Sequence, residues 1–399
     1  MMTMRYQGIN LGNVKISNRS SILRLLNNYG AMSRKDIAEA VGLTAASVTL
    51  ICTELLEEGV IVELGEAEEE KRAGRRKILV DINHAYKNVI TIAIEADDTY
   101  ISVTDIGGQV KCHNEISTDK TMEPEKFLKF ICDESKRMLW ENDILKDSIL
   151  GVAVTVPGKV DRSKGVSLNT YNIWTAPVPV AQVMTKELGF PIIVENNLKA
   201  YAQSEIYFGK GKEEGNLFLL KWGPGVGAAI IVDQHIYQGA NGMAAEIGHM
   251  TEGVDGRLCN CGRRGCLEAY ISTHAIINDI KAAKIPMPIL KEWLDAGNEM
   301  RYNNTAKWAS LRDEGLQNII KEKVCKLAHN VRNAISLIDP DRVVLLGYMF
   351  EVPGLYDIFI DCYKNYDDAV GEDFFVKSQL SVGQNHTEGL AVVLEELFF

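Results

Sequence analysis

The sequence predicts an α/β protein: a two-lobed body preceded by a small winged helix-turn-helix domain. Three observations carry that expectation. Residues 19–82 run helix, glycine turn, helix and then two strands. Residues 84–399 mix strand and helix patterns, and a β-hairpin pattern opens each half. The segment Glu246–Glu268 gathers three cysteines, a histidine and two carboxylates at a spacing that suits a metal site.

Length and composition set the outer limits. At 399 residues the chain is too long for one typical domain, and its 46% apolar and 24% charged residues are those of a soluble globular protein. There is no apolar run of about 18 residues to span a membrane, and no basic-then-apolar leader. A cytoplasmic protein without membrane partners is expected. Its eight cysteines (Cys52, Cys112, Cys132, Cys259, Cys261, Cys266, Cys325 and Cys362) are mostly isolated, which suits reduced thiols better than a disulfide framework. Net charge is −11, yet residues 1–83 hold 11 basic and 11 acidic side chains, so the whole excess lies in residues 84–399. A neutral module on an acidic body is compatible with local DNA binding.

In the domain at 1–83, Ile22, Leu23, Leu25 and Leu26 recur with helical period until Tyr29-Gly30 turns the chain. Ser33 is a suitable N-cap for a short helix carrying Ile37, Ala38 and Val41, which Gly42 closes. A second helix, Ala45 to Glu58, follows Thr44 and ends at Gly59. Its exposed start carries Thr44, Ala45, Ala46, Ser47 and Thr49, small enough to approach base edges and thymine methyls. Strands at Val60–Leu64 and Lys77–Ile82 flank an acidic run, Glu66 to Glu70, and then a basic tip. Arg75, Arg76 and Lys77 at that tip suit a narrow minor groove.

The body, 84–399, divides into lobe one at about 84–195 plus a helix at 385–399, and lobe two at about 196–384. Val89–Glu95 and Tyr100–Asp105 read as a hairpin with Gly107-Gly108 as its turn. A helix at Pro124–Leu139 and a buried strand at Ile149–Val156 follow. The strand Pro191–Glu195 leads into Asn196-Asn197 and a helix through Tyr207. The hairpin pattern recurs at Asn216–Lys221 and Ala228–Val232 around Gly223-Pro224-Gly225-Val226-Gly227. Helices then run to Ser336, a strand spans Arg342–Leu346, and a last helix spans Thr387–Leu397.

The cluster within 249–266 carries chemistry of its own. Cys259-x-Cys261 is a chelating pair, and Gly262 and Gly265 allow Cys266 to fold back to the same point, with His249 as fourth ligand. Three thiolates and an imidazole suit tetrahedral zinc, with no position left for a catalytic water.

Glu246-x-Gly248-His249, followed by Cys-x-Cys-Gly-x-x-Gly-Cys-x-Glu ending at Glu268, closely resembles the signature of the ROK family of repressors, open reading frames and sugar kinases. The resemblance covers about residues 84–399; with the winged helix in front, the whole chain is similar to the repressor branch. It implies the two-lobed sugar-kinase/actin-like (RNase H-like) fold. It also implies zinc on His249, Cys259, Cys261 and Cys266, and sugar contacts from Asn196, Asn197, Glu246, His249 and Glu268. The chemistry agrees: carboxylates accept paired hydroxyl hydrogen bonds, and a histidine fixed through one nitrogen presents the other in a set direction.

Phosphoryl transfer is expected to be lost. Where family kinases carry Asp-x-Gly-Gly-Thr, this chain has Glu95-Ala96-Asp97-Asp98-Thr99, whose extra carboxylates repel a triphosphate. Asn197 falls at the position of the catalytic Asp and cannot accept the hydroxyl proton, and Gly347-Tyr348 replaces a Gly-Gly pair. The expectation is a homodimeric or homotetrameric repressor of sugar-metabolism genes, released from operator DNA by a sugar or sugar phosphate. The alternatives are an ATP-dependent sugar kinase and a repressor controlled by a protein partner.

Overall fold

The computed structural model describes residues 11–66, 78–170, 173–212, 215–283, 314–366, 371, 373–380 and 386–399. They form two compact units, one of residues 1–195 with 385–399 and one of 196–384.

The first unit begins with α1 (Leu11–Tyr29), β1 (Met32–Ser33), α2 (Arg34–Val41) and α3 (Ala45–Glu57), then β2 (Ile61–Glu66) and β3 (Ile78–Ile82). Ser33 Oγ accepts from Asp36 N at 3.2 Å, and Gly42 closes α2 at φ +68. The chain turns by 118° between α2 and α3, a helix-turn-helix angle. Ile22, Leu23, Leu26, Ile37, Val48 and Leu55 are buried. Lys15 reaches Glu54 at 2.8 Å, and Arg19 grips Glu58, also at 2.8 Å, tying α1 to α3. The three strands order β1-β3-β2, which completes a winged helix. The basic tip with Arg75, Arg76 and Lys77 lies outside the described residues, as does the acidic run from residue 67.

The unit continues with β4 (Asn88–Ile94), β5 (Asp98–Asp105), β6 (Val110–Ser117), α4 (Pro124–Glu141), β7 (Ile149–Val156), the small pair β8 (Lys159–Asp161) and β9 (Val166–Asn169), α5 (Val180–Leu188) and β10 (Ile192–Asn196). The sheet order is β10-β7-β4-β5-β6. One expectation is corrected here. The β4–β5 connection is at Glu95–Asp98, and Gly107-Gly108 instead leads into β6. That strand alternates exposed and half-buried residues at the sheet edge, so its polar sequence conceals it.

The second unit contains α6 (Asn197–Phe208), β11 (Leu217–Trp222), β12 (Val226–Val232), β13 (His235–Ile236), α7 (Glu268–Ile271), α8 (Thr273–Ala282), α9 (Glu314–Ile338), β14 (Arg342–Leu346), α10 (Leu355–Lys364) and β15 (Phe375–Lys377). Its sheet order is β13-β12-β11-β14-β15. Counted along the chain, both five-stranded sheets read 3-2-1-4-5, with antiparallel strands first and parallel additions after. This duplicated arrangement is the α/β architecture the sequence predicts. Each unit has its own core, one around Ile92, Val154 and Phe127, the other around Trp222, Leu327 and Phe359.

The helix α11 (His386–Val393) and a π-helical turn at Leu394–Phe398 return to the first unit. Glu395 pairs with Arg24 of α1 at 2.7 Å, and the Arg24 guanidinium lies 5.0 Å from the Phe399 ring. Gly389 packs against Thr91 of β4, where a Cβ would stand 2.8 Å away.

The reading of isolated, reduced cysteines is also corrected. Cys325 of α9 and Cys362 of α10 are joined as a disulfide, a pairing that sequence separation hides. Among the described residues, no single helix is long and apolar enough to cross a membrane.

Candidate functional site

The second unit brings the predicted ligands to one point. His249 closes a 3-10 turn, Ile247–His249, and Met250 to Leu267 then form a hairpin. Leu267 N bonds Met250 O at 2.9 Å, Glu252 N bonds Gly265 O at 2.7 Å, and Cys259 N bonds Arg263 O at 2.8 Å. Two glycines are obligatory. Gly262 turns the tip at φ +84, and Gly265 lies at φ +76 where a Cβ would stand 1.7 Å from the Gly253 carbonyl.

His249, Cys259, Cys261 and Cys266 offer ligand atoms that all lie within 4.8 Å of one another. Cys261 Sγ is 3.7 Å from Cys266 Sγ, and Cys259 Sγ is 3.8 Å from His249 Nδ1. Four bonds of about 2.3 Å at tetrahedral angles give ligand edges of about 3.8 Å. The donor set therefore fits a tetrahedral, thiophilic cation. Electrostatics point the same way. Burial pushes the Cys259 thiol up to about 12, while Cys261, despite burial, is brought to about 7 by hydrogen bonds from Arg263 and the neighbouring thiols. Ionising all three sulfurs together needs a central positive charge.

The hairpin is braced from outside. Glu252 accepts from Lys326 and Asn330 of α9, each at 2.9 Å. Arg257 pairs with Asp279 of α8 at 2.9 Å, and buried Lys323 of α9 reaches the same carboxylate at 2.6 Å. Tyr270 lies under Arg257, 5.0 Å from its ring centroid. Sequence reasoning missed Glu252, Asp279, Lys323, Lys326 and Asn330, because their pairing is long-range and carries no local signal.

The candidate sugar residues converge on the start of β12. His249 turns Nδ1 towards Cys259, leaving Nε2 3.8 Å from Glu246 Oε2, and the Glu246 side chain is 42% exposed. Gly248 packs against the Val226 carbonyl, where a Cβ would stand 2.1 Å away. Glu268 Oε2 accepts from Val226 N at 3.0 Å; burial raises its pKa, and the nearby Glu246 charge adds to the rise. Leu198, the second residue of α6, fills the space over Gly227. Asn196 caps that helix, its Oδ1 accepting from Leu198 N at 3.0 Å and Lys199 N at 3.2 Å, and Asn197 is the first helical residue. Lys199 then holds the approach to Glu246, donating to Gln238 Oε1 at 2.6 Å and to Gly242 O at 2.7 Å.

The glycine loop at 223–227 is lined by side chains. A Cβ on Gly223 would stand 3.1 Å from the Tyr348 ring, and one on Gly225 2.9 Å from Glu268 Oε2. Tyr348 Oη is 3.1 Å from Thr273 Oγ1.

In the winged domain, Thr44, Ala45, Ala46 and Thr49 are exposed at the start of α3 and Ser47 is half-buried. Part of their polarity is used within the helix. Thr44 Oγ1 accepts from Ser47 N at 3.2 Å, and Thr49 Oγ1 donates to Ala45 O at 2.7 Å.

Comparison with known proteins agrees with this construction. A winged helix-turn-helix DNA-binding model matches residues 17–62, and the ROK family model matches residues 89–383. A putative xylose repressor of Caldicellulosiruptor sp. (strain Rt8B.4) is 27% identical over 334 residues, 83% of each chain. The DNA-binding transcriptional dual regulator NagC of Escherichia coli (strain K12) is 26% identical over 352 residues, 86% of this chain and 83% of that one. A crystal structure of a ROK family transcriptional regulator, a homologue of the E. coli MLC protein, superposes with TM-score 0.81 at 23% identity, covering 96% of both chains. Matched over most of its body, and carrying a winged helix in front, the chain belongs to the ROK family.

Proposed function

We propose that this ROK protein is a DNA-binding transcriptional repressor that senses a sugar or sugar phosphate in its second unit, and that a structural zinc on His249, Cys259, Cys261 and Cys266 braces the sensing site. The observation that carries the reading is His249, with one ring nitrogen at the cysteines and the other beside Glu246. Fixing Nδ1 on a metal orients Nε2 towards a hydroxyl, and Glu246, Glu268, Asn196 and Asn197 complete the polar set. The relatives named as xylose repressor and as NagC support a carbohydrate effector.

On DNA, α3 enters the major groove through Thr44, Ala45, Ala46, Ser47 and Thr49, and the wing residues Arg75, Arg76 and Lys77 follow the minor groove. A homodimer or homotetramer places two such modules on successive half-sites. The effector lowers operator affinity only by binding the DNA-competent and released forms unequally. The test is fluorescence anisotropy on DNA selected by the protein from its own genome, titrated with xylose, N-acetylglucosamine, other hexoses and pentoses, and their phosphates. A sugar that weakens binding at least tenfold supports the model; unchanged affinity across the panel sinks it.

Kinase activity is disfavoured by Asn197 at the position of the catalytic carboxylate, by the acidic residues of Glu95-Ala96-Asp97-Asp98-Thr99, and by the Tyr348 ring packed against Gly223. No ADP formation is expected with any sugar of the panel.

A further inference from the structure

Two cysteines outside the metal cluster take no part in the proposed sensing site. Cys325 and Cys362 are bonded across the packed helices α9 and α10, with Cα atoms 5.1 Å apart, inside the range a disulfide requires. His329, four residues further along α9, meets Tyr366, just past the end of α10, edge to face at 5.2 Å, a second contact between the two segments. The other six cysteines are free, three of them in the metal cluster.

We propose that Cys325 and Cys362 are a reversible thiol–disulfide exchange site that locks the helix bracing the metal hairpin. The position gives the bond its leverage. Cys325 adjoins Lys326, which holds Glu252, and lies two residues from Lys323, which holds Asp279. The bond closes a 37-residue separation that contains β14, Tyr348 and most of α10. It ties α9 to α10, and the chain between them carries Tyr348, whose ring packs on Gly223. Cys362 is 3% exposed whereas Cys325 is half-buried, so exchange begins at Cys325.

The co-reactant is a low-molecular-weight disulfide. The Cys325 thiolate attacks one of its sulfurs and expels the first small thiolate, leaving a mixed disulfide. The Cys362 thiolate then attacks the Cys325 sulfur, forms the protein bond and expels the second. Two electrons pass from the protein thiols to the small disulfide, and their two protons leave for solvent and the released thiolates. Two equivalents of a small thiol reverse the reaction.

The probe is glutathione and glutathione disulfide at graded ratios, acting on the full-length, zinc-saturated protein. After alkylation and digestion without reductant, mass spectrometry should find a peptide joining Cys325 to Cys362, lost when reduced glutathione is restored. The oxidised protein should unfold roughly 5–10 °C higher than the reduced form. It should also release zinc to a chelator several-fold more slowly, and Cys362→Ser should abolish both differences. Should that variant fold poorly, Cys325→Ala serves the same comparison. A cross-link that forms only in denaturant overturns the site, and equal zinc release from both forms overturns the lock. The lock rests on the proposed zinc site, so zinc content is measured first on the reduced protein, and its absence there counts against that site and not against the disulfide. Neither readout requires a sugar, so failure here is separable from failure of the effector model.

Discussion

His249 serves two neighbours with one ring, and the assignment is testable at single positions. Cys261→Ala removes a corner of the tetrad, and the variant is expected to lose its zinc in a chromophoric assay while wild type retains a stoichiometric amount. Full sugar response from the zinc-free variant would refute the coupling between metal and sugar site. His386 gives a separate, pH-dependent prediction. Burial, with a smaller effect from His113, holds its folded pKa below the ordinary 6.5. The unfolded chain therefore binds the proton more readily, so stability is present above pH 6.5 and declines as pH falls through the folded value. His386→Gln should flatten that decline in urea unfolding at pH 7 and pH 5; an unchanged slope discards the assignment. The tetrad was legible in the sequence because its three cysteines lie within one short turn. Lys326, Asn330 and Lys323 were not, since a lysine on a helix gives no sign of which loop it will meet.

Helices and hairpins carry the next predictions. Ser33 caps α2 through Asp36 N, so Ser33→Ala should cost about 1 kcal/mol in chemical denaturation. DNA affinity measured below the transition should change little. Gly265→Ala is harsher. A Cβ there meets the Gly253 carbonyl, and the hairpin that aligns Cys259 with Cys266 cannot close. Loss of zinc with a lowered unfolding midpoint is expected; a variant that binds zinc normally would show that the hairpin tolerates another path. Most elements were visible from periodicity and punctuation: Ser33 and Gly42 frame α2, and the apolar run Ile149–Val156 is β7 without adjustment. The missed strand β6 has Lys111, His113, Asn114 and Glu115 among its residues, as an edge strand with a solvated face can. The Cys325–Cys362 bond was missed for another reason: with eight cysteines, spacing alone does not choose partners.

For the whole molecule, charge asymmetry is the property that bears on operator binding. The acidic body carries the whole net negative charge and the N-terminal module none, which favours approach to DNA through the module. Replacing Arg75 and Arg76 with Ala should weaken DNA binding across sequences and lower the slope of log affinity against log salt by up to about 2. Unchanged affinity and slope would remove the wing from the mechanism. The repeated 3-2-1-4-5 strand order was legible only in outline, as two hairpins each followed by strands, because sheet order depends on pairings between strands far apart in sequence.

The pairing of Arg24 with Glu395 also has a meaning for how the molecule comes into being. These two residues are separated by 371 positions, yet one belongs to α1 and the other to the turn after α11. During synthesis the DNA-binding helices leave the ribosome first and can close their own small core, but the carboxylate and ring that receive Arg24 do not yet exist. These two contacts to the winged domain can form only after residues 395 and 399 have been made. A chain truncated before that point lacks the carboxylate and the ring that hold Arg24, and so loses this tie between its first helix and its last turn.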